Sequence, residues 1–266
     1  MPIEVSGVAG QGTREETIVE DIPVTVEREV TTNQHFVYKY RDPGVPGGAG
    51  IKFGYGLGDS TIGTVVWDTV ADTYALCVSG HAANNYAYEM YQPKAEGNYT
   101  PDDPNYIGEV DANRVREDSN FDAAITNGLV DGISTYGYHA RNRDNNYSSD
   151  PIDGALSKDR LNDLCYTGGE LGKQGISTGI EYGTVEDVGD TYFTTTADNA
   201  NGDSGGPHYE EQDGTFVIAG VHKGAANGGK SKATIMKEIE DLWKVRVVSS
   251  GGSCSTSSVR KQDNTC

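Results

Sequence analysis

Short strand-like runs, each closed by turn residues, constrain the fold of this chain more than any other feature. They include STIGTVVWD (60–68), TYALCVSG (73–80), YIGEVD (106–111), FDAAITN (121–127), GIEYGTV (179–185), TYFTTT (191–196) and TFVIAGV (215–221). Strands of this length at this spacing predict an all-β barrel or sandwich. Glycine supplies 35 of 266 residues, about twice the usual ~7 %, and points to many turns rather than a helical bundle. KEIEDLW (237–243) alone has convincing helical spacing, with Ile239, Leu242 and Trp243 on one side. The Tyr-, Asn- and Pro-rich stretch 84–105 reads as a long surface loop.

The flanks differ from this body. Residues 1–35 form an acidic arm of seven acids against two arginines. Pro43, Pro46 and the glycines from Gly44 to Gly50 then break the chain. Residues 249–266 read as a flexible tail. The net charge of −19 argues against nucleic acid or an anionic membrane as partner, since both select basic surface. The acids are dispersed, which suits either a salt-adapted surface or simple solubility. No apolar stretch reaches the ~20 residues of a membrane span, so no membrane insertion is expected. MPIEVSGVAG lacks the basic and apolar segments of a signal peptide. Sequons at Asn98 and Asn146 are consistent with export, and an extracellular or cell-surface location is the expectation. Four scattered cysteines make no disulfide scaffold, and without CxxC or HExxH neither a metal nor a cofactor is expected.

The strongest chemical signal is GDSGGP, Gly202 to Pro207. A serine that attacks a carbonyl needs a base, exposure and N–H groups aimed at the developing oxyanion. Glycines on both sides of Ser204 let the backbone bend so that the N–H groups of Gly202 and Ser204 converge. The nucleophile elbow of α/β-hydrolases is excluded, because Pro207 follows at once and only 62 residues remain for an acid and a histidine. The base therefore lies upstream. His81, in CVSGHAANN, follows an apolar strand directly, while His208 is too close in sequence to approach the Ser204 hydroxyl. Asp122, in NFDAAIT, is the acid flanked by apolar residues, where a carboxylate is costly unless it accepts hydrogen bonds. The order His81, Asp122, Ser204 is that of one of the convergent serine triads.

On SGHA, DAAI and GDSGGP, residues 50–245 or so resemble the chymotrypsin-like (trypsin-fold) serine proteases. KQGISTGIEYGTV (173–185) is similar to a hairpin of the bacterial streptogrisin-like branch, and VHKG (221–224) sits where the family has its pocket strand. The resemblance implies two six-stranded antiparallel β-barrels, residues 36–135 with His81 and Asp122 and residues 136–248 with Ser204, closed by a short helix. It implies a serine endopeptidase acting on a polypeptide substrate, with His81 as base and acid, Asp122 orienting it, Ser204 as nucleophile and the amides of Gly202 and Ser204 as oxyanion hole. A catalytically inactive module for binding or assembly is the alternative. Oligomeric state stays open.

The chain also departs from the family. No Ile-Val-Gly-Gly sequence is present to pair with Asp203, which must find another partner. Cys77 precedes His81 without an upstream partner; it and Cys165 are expected to stay thiols, with Cys254 and Cys266 pairing on export. His222 replaces a serine on the pocket strand. In the glutamyl-endopeptidase branch a histidine there meets the substrate carboxylate, which implies acidic preference with His222, Lys223 and Gly224 lining the subsite. Lys223, Lys230, Lys232 and Lys237 make this region a basic island. Against that stands Asp198, six residues before the serine, where trypsin-like members bind Arg or Lys.

Overall fold

A computed structural model describes residues 45–54, 58–86, 88–92, 105–129, 135–139 and 151–249. The acidic arm and the tail from residue 250 onward, with Cys254 and Cys266, lie outside the described residues, as do both sequons.

The first half is built from β1 (Val45–Gly47), β2 (Gly50–Phe53), β3 (Gly58–Thr61), β4 (Thr64–Asp68), β5 (Thr73–Val78), helix α1 (Gly80–Tyr86), β6 (Glu89–Tyr91), β7 (Tyr106–Glu117), β8 (Asp122–Thr126) and β9 (Thr135–His139). The second half contains β10 (Ile152–Ala155), α2 (Lys158–Thr167), β11 (Glu170–Gly175), β12 (Gly179–Val188), β13 (Tyr192–Thr195), β14 (Pro207–Gln212), β15 (Thr215–Ala225), β16 (Ser231–Ile235), α3 (Met236–Trp243) and β17 (Val245–Val247).

The second half closes into a barrel. Strands β15, β14, β11, β12, β13 and β16 pair in that order, and β16 returns to β15 to complete the ring. The KQGISTGIEYGTV segment forms the expected hairpin, with Gly175 opposite Gly179. The first half differs from the expected closed barrel. Its sheet runs β17-β4-β5-β8-β7-β6-β2-β3, and among the described residues its two ends do not pair as a ladder. The corner at Ile62–Gly63 carries the chain from β3 into β4: Ile62 N–H donates to Ala49 O at 2.8 Å and Gly63 N–H to Cys77 O at 2.9 Å. Gly63 is required there, since a Cβ would lie 2.9 Å from both the Cys77 and the Gly205 carbonyl oxygens.

Each half has its own core. Ile51, Phe53, Leu76, Val78 and Ile107 fill the first, and Leu161, Leu171, Phe193 and Ile235 the second. A third cluster joins Cys77, Phe121, Ala123 and Ile125 of the first half to Tyr209, Ile218 and Val221 of the second. Ile239 of α3 and Val245 and Val247 of β17 complete it. Burying such side chains stabilises by about 1.5–3 kcal/mol each, so the two halves are bound firmly face to face. Cys77 is a buried free thiol in that cluster and Cys165 a partly buried one; burial pushes the Cys77 thiol up.

Helices α1 and α2 and strand β6 escape the sequence pattern, which predicts a helix at KEIEDLW alone and a loop over 84–105. Helix α2 buries only Leu161 and Leu164, too narrow a stripe to reveal it; its signals are the caps, Ser157 accepting from Arg160 N–H and Gly168 in the left-handed region. Strand β6 lies inside the stretch expected to be loop throughout.

Candidate active site

Ser79 and Gly80 turn the end of β5 into α1, so His81 stands in the first turn of a short helix at the end of that interior strand. Gly80 is confined between strands: a Cβ there would lie 2.5 Å from the Arg116 carbonyl oxygen and 2.8 Å from that of Ala123. Asp122 opens β8 with its side chain fully buried. Its Oδ1 accepts the His81 backbone N–H at 2.7 Å, and its Oδ2 lies 2.8 Å from His81 Nδ1. The Ser79 hydroxyl donates to the same Oδ2 at 3.0 Å. Thr234 of β16 clamps the aspartate backbone, accepting the Asp122 N–H at 2.8 Å and donating to its carbonyl at 3.2 Å. Burial disfavours a charged imidazole, but the Asp122 hydrogen bond and charge, with Glu117 behind them, outweigh both burial and Lys223. His81 is therefore held above its ordinary value.

Ser204 lies in the loop between β13 and β14, and the first half of the chain holds that loop. The Ser204 carbonyl accepts from Ser60 Oγ at 2.6 Å and Thr61 N–H at 2.8 Å, while Gly202 O accepts from Thr61 Oγ1 at 2.8 Å. A Cβ on Gly205 would lie 2.2 Å from Thr61 O and 3.1 Å from Ser79 N, so the serine loop is pressed against the turn that carries His81. Gly202 and Gly205 have φ of +100° and +89°, the region that favours glycine. The N–H groups of Asp203, Gly205 and Gly206 donate to Ala200, His222 and Asp203 carbonyls. Those of Gly202 and Ser204 donate to no group among the described residues, which leaves two donors free for an oxyanion. The half-buried Ser204 hydroxyl makes no hydrogen bond to His81 among the described residues; such bonds commonly tighten only when substrate is bound.

Asp203 finds its partner inside the chain. Lys173 of β11 meets it at 2.6 Å, and both side chains are fully buried. Asp203 also accepts from the N–H groups of Ser177, Thr178 and Ala200 and from Thr178 Oγ1. Burial pulls the Lys173 ammonium down, and the Asp203 charge opposes it.

His222 is set beside the serine loop by two backbone bonds: Gly205 N–H to His222 O at 2.8 Å and His222 N–H to Gly206 O at 2.7 Å. Its Nδ1 lies 3.2 Å from Nε2 of His208, and the two rings stack at 5.4 Å. Burial, then neighbouring positive charge, pushes both imidazoles well below their ordinary value. The outer nitrogens, His222 Nε2 and His208 Nδ1, are buried without a partner among the described residues. Beyond His222 the strand is open, since a Cβ on Gly224 would meet nothing within 4 Å. The basic island is largely spoken for. Lys223 donates to Asp118 O, Lys232 to Ser119 O and Asn120 Oδ1, and Lys230 and Lys237 pair with Glu186 and Glu240. Asp198 is exposed.

The sequence-predicted His81, Asp122, Gly202 and Ser204 are thus brought together, with His222 adjoining them. Sequence reasoning missed Ser79, Lys173 and His208 as members of this region. His208 alone left a signal, its position on the strand that follows GDSGGP at once. Chemically, a half-buried serine near a carboxylate-paired imidazole, with two free amides, is the arrangement that acyl transfer needs.

No family model and no curated protein matches the sequence. Solved structures do. A glutamic acid specific serine protease, described as using a novel histidine triad in substrate binding, aligns with TM-score 0.59 and 22 % identity over 76 % of this chain and 100 % of that one. Thermobifida fusca protease A aligns with TM-score 0.55 and 16 % identity over 77 % and 98 %. A Nocardiopsis protease aligns with TM-score 0.55 and 18 % identity over 76 % and 98 %. At such identities the likeness speaks for architecture, and the chain has the trypsin-like fold of the bacterial chymotrypsin-like serine proteases.

Proposed function

We propose that this protein is a serine endopeptidase that cleaves on the carboxyl side of glutamate. The observation that carries the reading is the junction of the His81–Asp122 pair, its carboxylate buried, with a serine loop whose Gly202 and Ser204 amides are free among the described residues. Ser204 Oγ attacks the scissile carbonyl while His81 Nε2 takes its proton. The N–H groups of Gly202 and Ser204 receive the oxyanion, and His81 returns the proton to the leaving amine. Water then repeats the sequence on the acyl-enzyme. Asp122 holds Nδ1–H inward throughout and stabilises the imidazolium.

The preference for glutamate rests on His222. It is buried beside the serine loop with a nitrogen that lacks a partner among the described residues, as expected of a group that awaits a ligand. A neutral His222 that donates Nε2–H to a substrate carboxylate would accept at Nδ1 from His208 Nε2–H, so the two histidines act in series. The glutamate-specific neighbour is described as using three histidines; here two are paired. Asp198, being exposed, is not a buried counter-charge for Arg or Lys. A panel of peptides differing only at the residue before the scissile bond tests this. Glutamate should be cleaved fastest, with glutamine at least tenfold slower. Faster cleavage after arginine or lysine would transfer the specificity role to Asp198.

A further inference from the structure

Resting on that reading of His81 and Ser204, we infer that Ser79 is a positioning residue of the site: its hydroxyl holds the Asp122 carboxylate and selects the His81 tautomer that leaves Nε2 open toward Ser204. Among the described residues the Asp122 carboxylate has three donors. Two belong to His81 itself, the backbone N–H and Nδ1. Ser79 supplies the third, and among the described residues is the carboxylate's one anchor outside His81 and the one side-chain anchor besides the ring that the carboxylate must orient.

Proton accounting fixes the direction of these bonds. A serine hydroxyl has one hydrogen and two lone pairs. Ser79 is fully buried, and its Oγ lies 3.0 Å from Asp122 Oδ2, 2.9 Å from His81 Nδ1 and 3.3 Å from Ala82 N. The Ala82 N–H occupies one lone pair. Asp122 Oδ2 only accepts, so the hydrogen goes there. The remaining lone pair faces His81 Nδ1, and is compatible only with Nδ1–H. The opposite choice, the hydroxyl donating to Nδ1, would set a nitrogen lone pair against Oδ2 at 2.8 Å and deprive that oxygen of both donors.

The test compares the full-length wild type with Ser79→Ala and Ser79→Cys, following the low-field His81 Nδ1–H proton by NMR across pH and kcat and KM on a cleaved peptide. In Ser79→Ala the carboxylate is no longer shared with a hydroxyl and pulls harder on the imidazolium, so the His81 midpoint should rise by about half to one pH unit. At a pH above that midpoint kcat should fall about tenfold, with KM within about twofold, as an unanchored carboxylate lets the ring drift. Ser79→Cys, nearly isosteric and a weaker donor, should show the same shifts at smaller size, and decides the matter if the alanine variant does not fold. An unchanged midpoint and unchanged kcat would overturn the inference and leave Ser79 as a simple cap of α1. A lowered midpoint or a raised kcat would overturn it too, showing that the hydroxyl donates to Nδ1. If wild type cleaves no peptide, the endopeptidase reading fails, and the NMR midpoint still decides the role of Ser79.

Discussion

Replacing Lys173 with methionine should destabilise the protein far more than replacing any surface lysine, because it strands a buried charge next to the serine. At 2.6 Å and an effective dielectric of about 20, the attraction between Lys173 and Asp203 is about 6 kcal/mol. Desolvation of both groups offsets part of it. Removing one partner from such a buried pair typically costs about 3–5 kcal/mol. The four remaining hydrogen bonds to Asp203 favour the lower part of that range. For a domain of this size, that corresponds to a fall in Tm of about 6–15 °C. Lys230→Met is the control: its ion pair with Glu186 is 41 % and 31 % exposed on the two sides, and its loss should cost under about 1 kcal/mol. Activity should follow stability for a specific reason. Asp203 O accepts the Gly206 N–H, and Asp203 lies between the two amides that would receive the oxyanion, so Lys173→Met should lower kcat more than it raises KM. Urea unfolding of Lys173→Met, Asp203→Asn and the double variant gives the coupling, expected at about 2 kcal/mol or more. A cost for Lys173→Met no greater than that of Lys230→Met would refute the reasoning.

Three further outcomes follow from the same structure. Ser204→Ala and His81→Ala should each lower turnover on the order of 10⁶-fold without loss of the fold, and Asp122→Asn about 10⁴-fold by favouring the wrong tautomer; activity of Ser204→Ala within tenfold of wild type would remove Ser204 from the role of nucleophile. His208 and His222 are buried and held well below their ordinary value, so below about pH 6.5 each takes up a proton only on unfolding, and stability should fall on acidification by up to about 1.4 kcal/mol per pH unit for each. His81, shifted the other way, loses its contribution as pH rises through its raised value and adds no slope once charged in both states; thermal melts of His208→Phe between pH 4.5 and 6.5 should show roughly half the wild-type slope, and an equal slope would refute the assignment. The dispersed charge of −19 should make Tm rise from 0.1 M to 1 M salt, as the Debye length shrinks from ~10 Å to ~3 Å; a flat or falling Tm would mean the acids serve solubility alone.

What was legible in the sequence is what rests on local pattern. The short apolar runs in TYALCVSG and FDAAITN mark two strands whose ends carry His81 and Asp122, and most of their residues are buried without alternation. GDSGGP marked its own turn, since the positive φ at Gly202 and Gly205 and the crowding at Gly205 demand glycine. The partners drawn from far along the chain were hidden. Lys173 reads as an ordinary hairpin lysine until the barrel folds and Asp203, 30 residues on, meets it. His208 is too close to Ser204 in sequence to read as its base, yet β14 and β15 pair so that it backs His222. Ser79 gave no signal, because a small polar residue before a histidine is common and its meaning depends on a carboxylate 43 residues away. The basic island gave no hint of its partners: its lysines bond to the 118–120 loop and to neighbouring acids.

The central claim, that Ser204 is a nucleophile activated by His81 and Asp122, is tested most directly by reacting the protein with a fluorophosphonate and mapping the adduct by peptide mass. The account predicts one adduct per chain, on Ser204, formed at a rate that rises with pH through a midpoint above the ordinary ~6.5 of histidine, as the direction of the His81 shift requires, and abolished in His81→Ala. No adduct on wild type, or equal labelling of wild type and His81→Ala, would contradict it.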